Sequence, residues 1–145
     1  KQGKYHHPIV FRLNKNPREL TSSDWRNIIS SSAVVGTECS IALPPSLAHH
    51  QVLRLPNTSQ SEIKEAAAWE MADRIGVDRA TLQMDAIPIG SGGDVLAIAI
   101  EQSTLSSLLD PMYEAGLQPT SIESQCVAVA RNVAIEDNFD FDNIK

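Results

Sequence analysis

Basic charge, cysteine, aromatic side chains and long apolar runs are all scarce in this chain, and each scarcity removes a class of function. Twelve Lys and Arg stand against eighteen Asp and Glu, a formal charge of −6, with an isoelectric point near 5.1. Sequence-independent grip on nucleic acid comes from cations on phosphates, so nucleic acid is not an expected partner. A membrane-spanning helix needs roughly 20 apolar residues. Runs such as Val95 to Ile100 fall far short, and direct membrane insertion is not expected. The first residues, with Lys1, Lys4, Tyr5, His6 and His7, lack the apolar stretch of a secretory signal. The two cysteines, Cys39 and Cys126, lie far apart in no metal-ligand or redox pattern, which suits free thiols in a reducing cytoplasm.

What is present suffices for a core. The chain has 145 residues, 42% of them hydrophobic, the size of one ordinary domain. Seven Gly and eight Pro without a period exclude collagen-like and low-complexity classes. The chain opens on Lys1 rather than Met and reads as a piece of something longer.

Local signals predict the elements in turn. His7 to Leu13 reads as a strand, and Thr21, Ser22 or Ser23 caps a helix carrying Trp25, Ile28 and Ile29. Cys39 to Leu43 and Gln51 to Leu55 read as strands that pair across the loop between them, each ended by proline. Ser59 with Glu62 forms a capping-box pattern ahead of a helix over 60–75, stopped by Gly76. Along it Ile63, Ala67, Met71 and Ile75 make one apolar stripe at roughly 100° per residue, the side expected to face a sheet. Thr81 to Ile89 and Asp94 to Ile100 read as a hairpin, with glycines among residues 90–93 supplying positive φ. Ser103 is read as the cap of a third helix, stopped by Gly116, before a strand at Thr120 to Glu123 and a helix at Val127 to Val133. Hairpins and separate helices together define an α+β class, a small mixed or antiparallel sheet with helices packed on it.

Chemistry-bearing constellations are few. In an extended chain the neighbours His6 and His7, or His49 and His50, point to opposite faces, so neither pair holds one ion. Serines abound without a nucleophile elbow, and Cys126 begins a packing helix. No acid, base and nucleophile set can be assembled, so catalytic, cofactor and metal residues are predicted to be none. Glu136, Asp137, Asp140 and Asp142 lack the central Gly and final Glu of a calcium loop and read as a frayed acidic tail. The glycines at 90–93 lead into a strand, not a helix, so they make no phosphate cradle.

Trp69 stands apart. It lies about 240° round the helix from Ile63, beside Glu62, Glu65 and Asp73 and away from the apolar stripe. A large ring on a charged flank is either packed under a neighbouring segment or an anchor of an interface. The interface reading adds Glu70 at its margin and the strand ending at Arg54, giving Arg54, Trp69 and Glu70 as partner-binding residues.

Several short motifs in order resemble the PilM family: Ile41-Ala42-Leu43-Pro44-Pro45, Arg54-Leu55-Pro56, Glu65 to Met71 with Trp69-Glu70, Tyr113-Glu114-Ala115-Gly116-Leu117, and Ala128-Val129-Ala130-Arg131. These proteins are cytoplasmic, actin-like ATPase-fold components of type IV pilus assembly, akin to the division protein FtsA. The resemblance covers about residues 38–133. It implies that 1–37 is a strand-and-helix remnant of the parent actin-like domain. Residues 38–124 would then be the inserted strand-helix-strand-strand interaction subdomain, and 125–145 the return helix and acidic tail. It also implies a non-catalytic interaction module that is cytoplasmic and peripheral to the inner membrane through its partners. The implied partner is a short cytoplasmic segment of a membrane-anchored pilus or secretion protein, docking between inserted and parent parts. An uncovered groove would close by self-association. The family's nucleotide loops are absent from this chain, so ATP and Mg enter only if a longer protein carries them. The alternatives are an actin-like ATPase of which this is the inserted part, and an unrelated small ligand-binding domain.

Overall fold

The computed structural model describes residues 13–32, 36–56, 59–89 and 92–137, the last six of these as backbone only. Its elements in chain order are α1 (Ser22–Ser32), β1 (Glu38–Leu43), β2 (His49–Arg54), α2 (Gln60–Ile75), β3 (Leu82–Ile89), β4 (Asp94–Glu101), α3 (Gln102–Glu114), β5 (Gln118–Ser124) and α4 (Gln125–Asp137). The fold is α+β. The strand predicted at His7 to Leu13 lies, except for Leu13, outside the described residues, as does the tail beyond Asp137.

Capping chemistry sets the helix ends. At α1, Thr21 and Asp24 cap each other: the Asp24 carboxylate accepts the Thr21 N–H and hydroxyl at 2.9 and 2.8 Å, and Thr21 Oγ1 accepts the Asp24 N–H at 3.3 Å. At α2, Glu62 accepts the Ser59 N–H at 3.0 Å while Ser59 Oγ accepts the Glu62 N–H at 3.4 Å, and Gly76 closes the helix at φ 78°. Gly116, at φ 89°, ends α3 with the Leu117 N–H reaching back to Met112 O at 3.0 Å. Ser103 is not a cap. β4 runs straight into α3, whose cap is Glu101 with no side-chain bond, because the sheet already orients the chain at that point.

Two sheets organise the strands: a three-stranded antiparallel sheet in the order β2-β4-β3, and a parallel pair β1-β5. β1 and β2 therefore do not pair as predicted. The two prolines and the short 3-10 turn at Pro45–Leu47 carry the chain away from β1. β2 meets β4 with Leu53 opposite Val95, and β1 takes β5 in parallel, Ile41 opposite Ile122.

The core sits between α2 and one face of the three-stranded sheet. Ile63, Ala67 and Met71 pack on Leu53, Ala86, Val95, Ala97 and Ala99, with Ile75 partly buried at the margin, as the apolar stripe predicts. The alanines let helix and sheet approach closely, so Ala67 and Ala97 expose nothing to solvent. α1 packs on α3, and Arg26 Nη2 donates to Glu114 O across them at 2.9 Å.

Candidate partner-binding site

Sheet register sorts the side chains of β4 onto two faces. Val95, Ala97 and Ala99 point to α2, whereas Leu96 and Ile98, opposite Val52 and His50 of β2, point the other way. The strand is thus apolar on both sides, the pattern of a strand covered on both faces. α2 covers the first. Against part of the second stand β5 and α4, leaving a groove of about 620 Å³ lined by Leu43, Ile98, Ile100, Leu105, Ile122 and Val127 among others. Its size and lining match sites that hold a short peptide or small molecule.

Polar groups frame this groove. Arg131 Nη2 and Glu123 Oε2 pair at 2.8 Å on one wall. Asp85, on the β3 side, pairs with Lys64 Nζ at 2.6 Å. The hydrogen bond from Lys64 is the main reason its carboxyl titrates below the usual range. His50 Nε2 lies 2.6 Å from Ser124 Oγ, and that oxygen also accepts the Cys126 N–H at 3.2 Å, capping α4. One serine therefore ties the three-stranded sheet, the parallel pair and the last helix together.

A second groove, of about 750 Å³, lies between α2, the 3-10 turn at Arg79–Thr81 and the start of β3. Trp69 lines it, 61% exposed, with the Arg79 guanidinium 5.0 Å from its ring centroid. Arg79 also faces Glu65 at 3.6 Å. The charged flank expected round Trp69 is present, and the ring is not packed under another segment of the described residues.

The three predicted partner-binding residues are not brought together. Glu70 holds Arg74 through Nη2 at 2.8 Å and Nε at 3.0 Å, and lines neither groove. Arg54 ends β2, at the opposite edge of the sheet from β3 and the Trp69 groove. The groove against β5 and α4 was missed by sequence reading, although its signal was present: the unbroken apolar run of β4 leaves a second face that one helix cannot cover.

Among the described residues no three His, Cys, Asp or Glu side chains gather as a metal site, and no helix is long and apolar enough to cross a membrane. A Cβ on Gly93 would stand 2.7 Å from Leu55 O, so this glycine serves close backbone packing at the end of the hairpin.

No protein-family profile and no curated protein matches the chain. Solved structures do. The chain is similar to one in the PilM–PilN type IV pilus biogenesis complex, with a TM-score of 0.67 at 18% identity, covering 79% of this chain and 36% of that one. It is also similar to the cytoplasmic domain of EpsL, an inner-membrane component of the type II secretion system of Vibrio cholerae, with a TM-score of 0.58 at 13% identity, covering 71% of this chain and 42% of that one. The α+β fold is thus shared with a chain of a type IV pilus biogenesis complex and with the cytoplasmic domain of an inner-membrane secretion component, and this chain spans less than half the length of either.

Proposed function

We propose that this chain is a non-catalytic docking module of a type IV pilus or type II secretion assembly. In this reading the groove between the three-stranded sheet and β5–α4 receives a short segment of a membrane-anchored partner. The observation that carries this is the second apolar face of β4, half covered by this chain and open along a peptide-sized groove. The likeness in fold to a chain of the PilM–PilN complex and to an inner-membrane secretion component supports that class of partner. Trp69 is a second contact, because an exposed indole held under Arg79 is an aromatic anchor without a cover.

Nucleotide is not part of this reading. The one glycine cluster serves a hairpin, so Mg-ATP calorimetry on this chain should show no binding; micromolar affinity would favour the ATPase alternative. The docking itself is tested by titrating the chain with synthetic cytoplasmic segments of the membrane-anchored pilus or secretion proteins of its own organism. Ile122→Glu, which puts a charge into the groove from an outward strand position, should weaken binding by more than about tenfold. Unchanged affinity would refute the groove.

A further inference from the structure

The half of the molecule built on β1 and β5 is short of a layer. Trp25, Ile28 and Ile29 share one side of α1, yet with α1 packed on α3 all three stay only half-buried. The strands show the same deficit. Parallel strands ordinarily belong to larger sheets covered on both faces, whereas among the described residues β1 and β5 pair only with each other.

The two outer edges of this pair differ. Thr37 O accepts the Gln118 N–H at 2.7 Å and Cys39 O accepts the Thr120 hydroxyl at 3.3 Å, so the backbones of Thr37 and Cys39 face β5. Alternation along the strand then turns the backbones of Glu38, Ser40 and Ala42 outward. On β5, Gln118 faces β1, so Pro119 faces outward with no N–H to give. One step on, β5 carries an extra residue, Thr120, where the register shifts between Cys39 and Ser40. A proline and a bulge keep further strands off an edge. The edge of β1 has neither.

Chain direction and handedness select the occupant. The run Pro8-Ile9-Val10-Phe11-Arg12 precedes α1, and α1 leads into β1, so residues 13–37 are long enough for a parallel crossover. α1 packs on α3 and α3 on β5, which sets both helices on one face of the pair. Crossovers are right-handed: seen from the helix side with the strands pointing up, the later strand lies to the right of the earlier one. β5, reached from β1 through α3, therefore lies to the right of β1. By the same rule β1 lies to the right of the run that enters α1. We propose that Pro8–Arg12 adds to the free edge of β1 as a third parallel strand, with Ile9 and Phe11 beneath Trp25, Ile28 and Ile29. Ile9, Val10 and Phe11 are apolar in succession, the pattern of a strand covered on both faces. Being tethered to α1, this segment reaches the edge at an effective concentration on the order of mM, which favours it over a second copy or a free partner strand. The inference rests on neither groove nor on their occupants.

The test is nuclear magnetic resonance on the whole isotope-labelled chain. Through-space contacts should join the backbone of Ile9 to Phe11 to that of Ser40 to Ala42 in parallel order, and the Phe11 ring to the methyls of Ile28 or Ile29. Phe11→Asp should speed amide exchange at Ser40 and Ala42 by at least about tenfold and leave Ala97 and Ala99, in the core under α2, as protected as before. Free exchange at Ser40 and Ala42 in the unmodified chain would overturn the proposal and leave this edge to another protein. Contacts from Pro8–Arg12 to Ile122 of β5, or an antiparallel order, would overturn it as well. So would protection of Ser40 that rises with chain concentration, which would make the occupant a second copy. Should Phe11→Asp unfold the whole chain, the contacts in the unmodified chain decide alone.

Discussion

Trp69 and Met71 stand two residues apart on α2, and truncating each to Ala separates surface from core. Met71 is 2% exposed and packs among Leu53, Ile63, Val95 and Ala86. Its neighbours are held by helix and sheet backbones that cannot collapse far, so Met71→Ala leaves a cavity and costs about 3 kcal/mol. For a chain of 145 residues that lowers the melting temperature by about 6–12 °C. Trp69 is 61% exposed, and its main contact is the Arg79 guanidinium 5.0 Å from the ring. That contact is worth about 0.5–1 kcal/mol at an exposed site, so Trp69→Ala should lower the melting temperature by only about 1–4 °C. Urea unfolding should show the same contrast in midpoint at an unchanged m-value. Partner binding or dimerisation through Trp69 should meanwhile fall by more than about tenfold, whereas Glu65→Ala should barely change it. If Trp69→Ala destabilises as much as Met71→Ala, the indole belongs to the core and its assignment to an interface is wrong.

The pH response of α1 follows from Asp24, which bonds to Lys15 and Thr21 and has its pKa lowered to about 2 from an ordinary 3.8. A depressed folded pKa means that the stabilisation is complete above the ordinary value and is lost as pH falls through the folded one. Amide exchange over 22–32 should therefore rise between about pH 4 and 2, and Lys15→Ala should move that rise to higher pH. Burial pushes the Cys39 thiol up, whereas Cys126 is exposed. Ellman's reagent should thus modify Cys126 first, and a two-proton mass change on reduction would contradict free thiols. Ser124→Ala removes the α4 cap and leaves the His50 ring without its partner, at a cost of about 2 kcal/mol. A double-mutant cycle with His50→Ala should show coupling between the two positions; strict additivity would mean that the 2.6 Å contact contributes nothing.

Where neighbours in sequence carry the signal, the sequence alone determined the outcome. The capping box at Ser59, the stop at Gly76, the stripe through Ile63, Ala67 and Met71, and the β3–β4 hairpin were all legible, because each depends on residues a few positions apart. Trp69 on a charged flank was legible for the same reason, since helical geometry places it there, but whether another segment covers it was left open by the sequence and decided by the structure. Only the tertiary structure decided which strand takes which partner. β1 pairs with β5, Ser40 opposite Ser121, across most of the chain, and although Pro44, Pro45 and the turn after them turn the chain away from β1, nothing near β1 in sequence names β5 as its partner. The same long-range choice separated Arg54 from Trp69, by placing β2 and β3 on opposite edges of β4. It also created the groove, since the second face of β4 meets β5 and α4 only once the parallel pair has formed. Pairings of high sequence separation depend on contacts and loop closure that a local window does not contain, and both proposed contact surfaces beyond α2 lie on them.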